Sequence, residues 1–133
     1  MMSLIVPTSI PQDIEDVGHR VIGCGITVHR ILGPGFKERI YERAFCLELE
    51  EAGLRYECEK RILVPYKRWQ IEGHIVDLII EGAVIVELKA VPRLAEIHRL
   101  QLLSYLRATG LRLGYVMNFN AEVLKQGIKR VAL

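Results

Sequence analysis

The first periodic pattern in the chain is helical. Between positions 17 and 31, apolar residues recur at alternating steps of four and three, which places them on one stripe of a helix. These residues are Val17, Val21, Cys24, Val28 and Ile31. Asp13 is placed to cap the start of this helix, and Gly33-Pro34-Gly35 ends it. A second helix is predicted from Phe36 to Ala52, closed by Gly53.

Beyond Gly53 the pattern changes to that of strands. The segments LRYECEKRILVPY (54–66) and WQIEGHIVDLII (69–80) are rich in β-forming residues, and Gly73 predicts a bend in the second. Glu81-Gly82 predicts a tight turn into GAVIVELKAV, which is a third strand that Pro92 ends.

The last third of the chain predicts one more helix and one more strand. The helix is LAEIHRLQLLSYLRAT, closed by Gly110, and the strand is LRLGYVMNF. The tail AEVLKQGIKRVAL is either a short helix plus a strand or a frayed helix. This order predicts an α/β fold, a mixed sheet with helices on both faces. We expect residues 1–133 to form one domain, with residues 1–12 as an irregular N-terminal arm.

Charge is distributed unevenly along the chain. Residues 1–88 carry 10 Lys/Arg and 14 Asp/Glu, a net charge of −4, whereas residues 89–133 carry 8 and 2, a net charge of +6. A basic surface suits a polyanionic partner, but a solvated basic surface gives the same pattern. Arg93 and Arg99 are our candidate contacts to a nucleic acid within this basic part.

The sequence predicts neither a membrane protein nor a disulfide framework. No apolar run approaches the roughly 20 residues that span a bilayer, and MMSLIVPTSIP lacks the basic leader of a signal peptide. We therefore expect a cytoplasmic protein without a membrane partner. Cys24, Cys46 and Cys58 are widely spaced and form no zinc-binding pattern, so each is expected to be a small buried side chain.

Two charged residues interrupt the apolar third strand. Glu87 and Lys89 share a face with Ile85, while Val84, Val86 and Leu88 point the other way against a layer of helices. We expect Glu87 and Lys89 to lie beneath the helix that carries Glu38. Burying charge without compensation costs several kcal/mol, so the pair calls for an explanation.

The position of Asp77 on the preceding strand depends on the strand register. If Glu81-Gly82 are the two residues of an ideal turn, Ile80 faces Ala83, and Asp77 and Glu87 lie on opposite faces of the sheet. A bulge or a shift by one residue would bring the two acids together. The sequence leaves both registers open.

The charged residues of this hairpin have a plain and a functional interpretation. Asp77 could be a solvated acid at a strand end, and Glu87 with Lys89 could be an ion pair on the sheet. Two carboxylates beside a lysine instead favour a hard-cation site, because Mg²⁺ binds oxygen ligands and commonly uses one or two carboxylates. Lys89 could then orient or help deprotonate a water, or stabilise developing negative charge.

An acid on one strand followed by Glu87-Leu88-Lys89 on the next resembles the PD-(D/E)XK nuclease superfamily. The first motif is reduced here to Val76-Asp77, without a proline before the acid. The segment GPGFKERIYERAF also resembles the signature of the small GxxExxY proteins, a group assigned to that superfamily, with Gly35, Glu38 and Tyr41 at the named positions. The similarity extends roughly from residue 17 to the end of the chain.

The resemblance implies a metal site and a hydrolytic activity. It implies that Glu38 completes an acidic site with Asp77 and Glu87, which would hold one or two Mg²⁺ ions, with Mn²⁺ as a substitute. The backbone carbonyl of Leu88 would be a further ligand, and Lys89 would position and activate water.

From the residues alone, two interpretations of Glu38 stay open. It shares a helical face with Tyr41 and Phe45, which would turn it toward the interior. It also lies in the first turn of its helix, where an acid favours the helix dipole. Tyr41 is expected to pack and to form hydrogen bonds rather than to take part in catalysis.

The later helix offers a second polar face. His98, Gln101 and Tyr105 lie at steps of three and four, which resembles the QxxxY motif of some branches of the superfamily. That motif implies that Gln101 supports the site or a substrate phosphate and that Tyr105 approaches the nucleic acid. An ordinary amphipathic helix with a polar side explains the same spacing.

An aromatic and basic turn lies earlier, where Tyr66 and Trp69 flank Lys67-Arg68. Such residues can stack on bases and hold phosphates. A simple hairpin tip is the interpretation that we favour for this turn.

Two functional hypotheses from different classes follow. The first is metal-dependent phosphodiester hydrolysis of nucleic acid, with DNA favoured over RNA by the resemblance alone. The alternative is a non-catalytic nucleic-acid-binding or assembly module that keeps the nuclease fold. A chain this small could act as a homodimer in either case. A structural protein whose charged strand faces a subunit interface is a third, less favoured hypothesis.

Overall fold

The computed structural model describes residues 9–133 as three α-helices, five strands and one short 3₁₀ helix. The helices are α1 (Gln12–Leu32), α2 (Glu38–Glu51) and α3 (Glu96–Thr109). The strands are β1 (Tyr56–Tyr66), β2 (Trp69–Ile80), β3 (Val84–Lys89), β4 (Leu113–Asn118) and β5 (Ile128–Ala132). Within residues 9–133, no helix is both long and apolar enough to cross a membrane.

The five strands form one mixed sheet in the order β1-β2-β3-β4-β5. All neighbours are antiparallel except β3 and β4, which are parallel and joined by α3. A parallel pair needs a crossover of this length, because a tight turn can join only antiparallel strands. The predicted mixed sheet is confirmed.

The helices cover both faces of the sheet and define two apolar clusters. On one face, α1 and α2 pack on Val84, Val86 and Leu88, as the alternation in β3 predicts. On the other face, α3 packs on Ile85 and Val116 through Leu102 and Leu106. Helices on both faces are therefore confirmed.

The prediction that Glu87 and Lys89 lie beneath the helix that carries Glu38 is wrong. Glu87 alternates with Val86 and Leu88, which lie under α1 and α2, and its parallel neighbour is Val116 in the α3 cluster. Glu87 thus lies on the α3 face, opposite the helix that carries Glu38. The sequence could not assign helices to faces, since this depends on the direction in which each connection crosses the sheet.

The ends of the first two helices differ from the prediction. Helix α1 begins at Gln12 after Pro11, and Asp13 lies in its first turn without capping it. The predicted irregular arm over residues 1–12 falls mostly on residues 1–8, which lie outside the described part of the chain. Helix α2 begins at Glu38, two residues later than predicted, because Lys37 has an extended backbone with a ψ of 151° and forms the N-cap.

Tyr41 fastens the loop between α1 and α2. Its ring is fully buried and stacks on Phe119 at 4.7 Å between centroids. Its hydroxyl donates to the carbonyl of Gly33 at 2.6 Å and accepts from the amide of Phe36 at 3.0 Å. The expected packing and hydrogen-bonding role of Tyr41 is therefore confirmed. These bonds hold the segment that leads into Glu38.

We expect the substitution Tyr41→Phe to lower the free energy of unfolding by about 1–3 kcal/mol, because it leaves two backbone groups without their partner. Urea unfolding measures this value. Tyr66→Phe is the matched control, because Tyr66 is 54% exposed. Equal stability of the two variants would contradict the role assigned to the Tyr41 hydroxyl.

The tail of the chain and two of the three cysteines have the structure that the sequence predicts. The tail forms the 3₁₀ helix Leu124–Gly127 followed by β5, which confirms the first of the two alternatives. Cys24 and Cys46 are buried as predicted. The prediction for Cys58 is wrong: it is exposed, because β1 is an edge strand and is covered by few side chains there.

Candidate active site

A three-residue turn sets the register between β2 and β3. Ile80 pairs with Val84, so Glu81, Gly82 and Ala83 all belong to the turn. Glu81 has a φ of 55°, which is unfavourable for a residue other than glycine. Its carboxylate accepts a hydrogen bond from the amide of Arg55 at 2.6 Å and pairs with the guanidinium at 3.0 Å. Arg55 thus stabilises the turn and lowers the pKa of Glu81.

This register brings the two candidate acids together. Continuing it from Leu78–Val86 by one residue places Asp77 opposite Glu87, on the same face. The ideal two-residue turn is therefore wrong, and the shift by one residue is the register that the structure has. The extra turn residue accounts for the difference.

The side chains of the two acids continue the ladder where its backbone pairing ends. Glu87 Oε1 accepts a hydrogen bond from the amide of Asp77 at 3.0 Å. Asp77 Oδ2 accepts from the amide of Leu88 at 2.7 Å. Each carboxylate is thereby held beside the other strand, and one oxygen of each remains outside these two bonds. Neither side chain forms an ion pair with a lysine or arginine within residues 9–133.

Strand β2 also changes face at Asp77. Leu78 packs in the cluster under α1 and α2, whereas Val76 belongs to the cluster under α3. Regular alternation would place both residues on one face. The β1–β2 ladder skips Glu59, which has a φ of 50°. Asp77 lies at this irregularity, which no local sequence pattern predicts.

Burial and mutual repulsion oppose charge on the two acids. Glu87 is only 8% exposed, and burial together with the carboxylate of Asp77 raises its pKa to about 8. Burial also raises the pKa of Asp77, although the hydrogen bond from Leu88 and the charge of Lys89 partly offset this. Two adjacent carboxylates cannot both ionise at low cost without a compensating positive charge.

In the absence of metal, the unfolding temperature of the wild type relative to Glu87→Gln should fall as the pH rises from about 5 to about 8. The pKa of Glu87 in the folded state, about 8, exceeds its ordinary value of 4.5. The stability present below pH 4.5 is therefore lost as the pH rises through the folded pKa. Thermal unfolding of both proteins in EDTA measures this difference, and a constant difference across the range would contradict it.

Lys89 and Glu38 contribute to the charge balance around the acids. Lys89 is half-buried at the end of β3. Burial raises the pKa of Asp77, Glu87 and Glu38, and the charge of Lys89 offsets part of this rise. The four ion pairs formed within residues 9–133 do not include Lys89. A simple Glu87–Lys89 ion pair is therefore not what the structure contains.

Glu38 approaches this group from the first turn of α2. Its side chain is exposed, so the interpretation that turns it toward the interior is wrong, and the first-turn position is correct. Neighbouring atoms still desolvate the Glu38 carboxylate in part, which raises its pKa, and the negative charge of Asp77 raises it further. Glu38 is thus electrostatically coupled to the acid pair, although α2 packs on the opposite face of the sheet.

Helix α3 brings Tyr105 beside the acids. Burial and the charges of Glu87 and Asp77 raise the pKa of Tyr105 to about 12, so it remains a hydroxyl donor at neutral pH. Its ring lies 4.3 Å from that of His74 on β2. Gln101 lies one turn earlier on α3 and is half-buried. His98 Nδ1 instead accepts a hydrogen bond from the amide of Ala95 at 3.0 Å and thus caps the start of α3.

The basic C-terminal part is partly neutralised within the fold. Arg99 pairs with Glu96 one turn earlier, and Arg130 pairs with Glu15 at 2.9 Å. Arg112 donates to the carbonyl of Leu133. Arg93 is exposed in the connection between β3 and α3, close in sequence to Lys89. Net charge along the chain therefore overstates how much positive charge faces a partner.

A neighbouring acidic cluster was missed at the sequence level. Glu42 on α2 accepts a hydrogen bond from the thiol of Cys58 at 3.0 Å, and Glu59 lies within 4.8 Å of both. The charge of Asp77 raises the pKa of Glu42, so the cluster extends the acidic region. Its members come from separate elements, and the only local signal was that Glu42 follows Glu38 by one helical turn.

The donor set at Asp77 and Glu87 fits a divalent cation. Both acids offer carboxylate oxygens, which Mg²⁺ and Mn²⁺ prefer over nitrogen or sulfur. A cation would also supply the positive charge that the raised pKa values call for. The charge of Asp77 influences the pKa of Glu38, and the backbone amide of Leu88 is held beside Asp77.

Comparison with known proteins adds one positive result. A sequence model described as the PD-(D/E)XK nuclease superfamily matches residues 15–131. No curated protein matches the chain, and no solved structure matches it. The match spans the acid pair, Lys89 and all five strands except the last residue of β5.

Proposed function

Because the chain belongs to the PD-(D/E)XK nuclease superfamily, we propose that it hydrolyses phosphodiester bonds of nucleic acid with Mg²⁺ bound by Asp77 and Glu87. Membership suggests metal-dependent nucleic-acid cleavage, and proteins of this superfamily typically use divalent metals. Members can also be inactive, so catalysis in this chain is part of the proposal.

The strongest support for a metal site is the geometry of the two carboxylates. The carboxylates of Asp77 and Glu87 lie on one face. That of Glu87 accepts a hydrogen bond from the amide of Asp77, that of Asp77 accepts one from the amide of Leu88, and burial disfavours their joint ionisation. A solvated strand-end acid would be neither buried nor fixed in this way. An arrangement that is costly without a cation and relieved by one supports a metal site.

The roles proposed for the residues follow from their positions. Asp77, Glu87 and Glu38 would hold the ion, with the carbonyl of Leu88 as a further ligand. The ion would supply Lewis-acid stabilisation of the phosphate charge. Lys89 would position the attacking water and stabilise negative charge on the phosphate oxygens. Gln101 and the hydroxyl of Tyr105 would orient the substrate phosphate from α3.

The reaction is a simple hydrolysis. The oxygen of water forms a bond to phosphorus as the bond to the leaving alcohol oxygen breaks. Water loses a proton to solvent, and the leaving oxygen takes one up. The products are a phosphate monoester and an alcohol.

Several finer statements belong to the same proposal. We propose that DNA is the substrate, that Mn²⁺ can replace Mg²⁺, and that Arg93 and Arg99 contact the phosphate backbone. We also propose that residues 1–133 form a single domain of the GxxExxY type in the cytoplasm and that it can act as a homodimer. The segment Gly35 to Tyr41 supports the GxxExxY assignment, because Tyr41 fixes the loop that leads to Glu38.

Cleavage of labelled DNA tests this function. The proposal predicts that the wild type cleaves single- or double-stranded DNA with Mg²⁺ or Mn²⁺ and that EDTA abolishes cleavage. Cleavage that persists in EDTA would contradict the metal site. Binding of DNA without cleavage under either metal would favour the non-catalytic module instead.

A further inference from the structure

The outer half of the β1–β2 hairpin forms an arm that projects from the sheet. We call residues 60–75 the arm; its strands pair only with each other beyond the point at which β3 ends. Six large apolar side chains on it are more than one third exposed. They are Leu63 (46%), Val64 (38%), Tyr66 (54%), Trp69 (48%), Ile71 (51%) and Ile75 (46%).

Cross-strand pairing arranges part of this surface into a stripe. Tyr66 pairs with Trp69, and Val64 pairs with Ile71, so these four side chains share one face. The next pair toward the sheet includes His74, whose ring contacts Tyr105 of α3. The stripe therefore leads to Tyr105, whose pKa is raised by burial and by the charges of Glu87 and Asp77.

The tip of the arm combines aromatic rings with free cations. The guanidinium of Arg68 lies 3.8 Å from the ring centroid of Trp69, and the ammonium of Lys67 lies 5.6 Å from that of Tyr66. None of the ion pairs in the described part of the chain involves Lys67, Arg68 or Arg61. These cations keep their hydrogen-bond donors available to a partner.

The charge of the arm distinguishes between possible partners. Residues 60–75 carry four Lys/Arg and one Glu, a net charge of +3, within a segment of 88 residues whose net charge is −4. Lys60 pairs with Glu57 just outside the arm, which leaves Arg61, Lys67 and Arg68 as its cations outside the ion pairs of residues 9–133. A protein interface is depleted of lysine at its centre, and burying free cations there would be costly. A nucleic acid offers phosphates to the cations and bases to the aromatic rings.

The distance from the arm tip to the acids fits a single bound strand. Trp69 and Asp77 are eight residues apart on β2, which corresponds to about 26 Å along an extended strand. That length spans about eight nucleotides at the rise of a duplex. A strand with a phosphate at the acids would thus have to extend several nucleotides to reach the tip.

We propose that the arm binds a single-stranded segment of the nucleic acid that leads away from the site of cleavage. Lys67 and Arg68 contact phosphates, while Tyr66 and Trp69 stack on unpaired bases. This inference rests on the proposed function for its substrate class, and it assigns to the protein a second contact region outside the acidic site.

Fluorescence binding assays with thymidine oligonucleotides in EDTA test the arm. Trp69 is the single tryptophan of the chain, so its emission reports stacking at the tip without a label. We expect a thymidine 20-mer to quench the emission of Trp69, because stacking on an unpaired base changes the environment of its ring.

The variant Lys67→Ser with Arg68→Ser should weaken binding of the 20-mer by about tenfold or more. Its slope of log affinity against log salt should fall by about 1.4, since each lost contact accounts for about 0.7. The matched control is Lys125→Ser with Lys129→Ser, which removes the same charge at the β5 edge of the sheet. Thermal unfolding verifies that both variants are folded.

Two results would overturn the proposal. One is equal affinity of the arm variant and its control together with unquenched Trp69. The other is a dimer in solution that dissociates on Val64→Ser with Ile71→Ser, since a second copy would then cover the stripe. Hydrolysis of bis(p-nitrophenyl) phosphate separates this test from the proposed function. That ester is too short to reach the arm, so the arm variant should hydrolyse it like the wild type, whereas failure of the wild type itself would refute only the proposed catalysis.

Discussion

Glu87→Gln is expected to lower kcat/KM for DNA cleavage by about 10³-fold while raising the stability of the metal-free protein. The glutamine side chain keeps an oxygen that accepts the hydrogen bond from the amide of Asp77. The substitution removes one of two negative charges that repel each other. Loss of a charged group at the reacting centre commonly costs about 10²–10³-fold. An activity loss combined with a stability gain separates a functional acid from a structural one.

The stability gain follows from the raised pKa of Glu87, about 8. Near pH 8 the folded protein carries a buried carboxylate or holds a proton that the unfolded chain has released. Either state costs several kcal/mol relative to a neutral amide. Chemical unfolding in EDTA measures the gain, and steady-state cleavage measures the loss.

Manganese affinity provides the third measurement on this variant. Calorimetric titration should show that Glu87→Gln binds Mn²⁺ at least about tenfold more weakly than the wild type. Glu122→Gln is the matched control, because Glu122 is an exposed acid in the connection between β4 and β5. A destabilised Glu87→Gln variant that keeps its metal affinity would refute the assignment and favour a structural role.

Lys89→Gln is expected to lower kcat by about 10²–10³-fold with little change in Mn²⁺ affinity. Lys89 shares a face with Glu87, and its charge offsets part of the rise in pKa of the three acids, Glu38, Asp77 and Glu87. It forms none of the ion pairs within residues 9–133. Its positive charge opposes the binding of a cation, so its removal leaves metal affinity unchanged or slightly higher. The role that we propose for Lys89 concerns the attacking water and the phosphate.

Single-turnover cleavage at saturating Mn²⁺ isolates the contribution of Lys89 to the chemical step. Lys129→Gln on β5 is the control for the loss of one positive charge from the surface. If Lys89→Gln reduced only substrate affinity and left the rate of the bound complex intact, Lys89 would be a contact to the phosphate backbone rather than a catalytic residue.

The alternation of apolar and charged residues in β3 was sufficient to predict much of the site. It placed Glu87 and Lys89 on one face and Val84, Val86 and Leu88 under a helical layer, as the structure has them. Such patterns are local, because successive side chains of a strand point to opposite faces. The face of each residue therefore follows from its spacing along the chain.

The register that joins Asp77 to Glu87 could not be predicted in the same way. It depends on Glu81 adopting a positive φ, for which turn statistics favour glycine. That conformation is stabilised by Arg55, 26 residues earlier in the chain. A contact of this kind is a property of the folded sheet, and a single sequence gives no period or spacing that signals it.

The surroundings of the acid pair were also beyond local patterns. Only the resemblance links Glu38 to the site, and its exposure reflects its position in the first turn of α2. The cluster of Glu42, Cys58 and Glu59 combines a helix with an irregular point in an edge strand. Residues from separate elements meet only through tertiary packing, which sequence periodicity does not encode.

The most direct measurement is the anomalous scattering of manganese in a crystal of the protein soaked in Mn²⁺. Our account predicts a peak within about 2.5 Å of carboxylate oxygens of both Asp77 and Glu87. A peak found only at Glu42, Cys58 and Glu59, or no peak beside Asp77 and Glu87 at saturating Mn²⁺, would contradict the account.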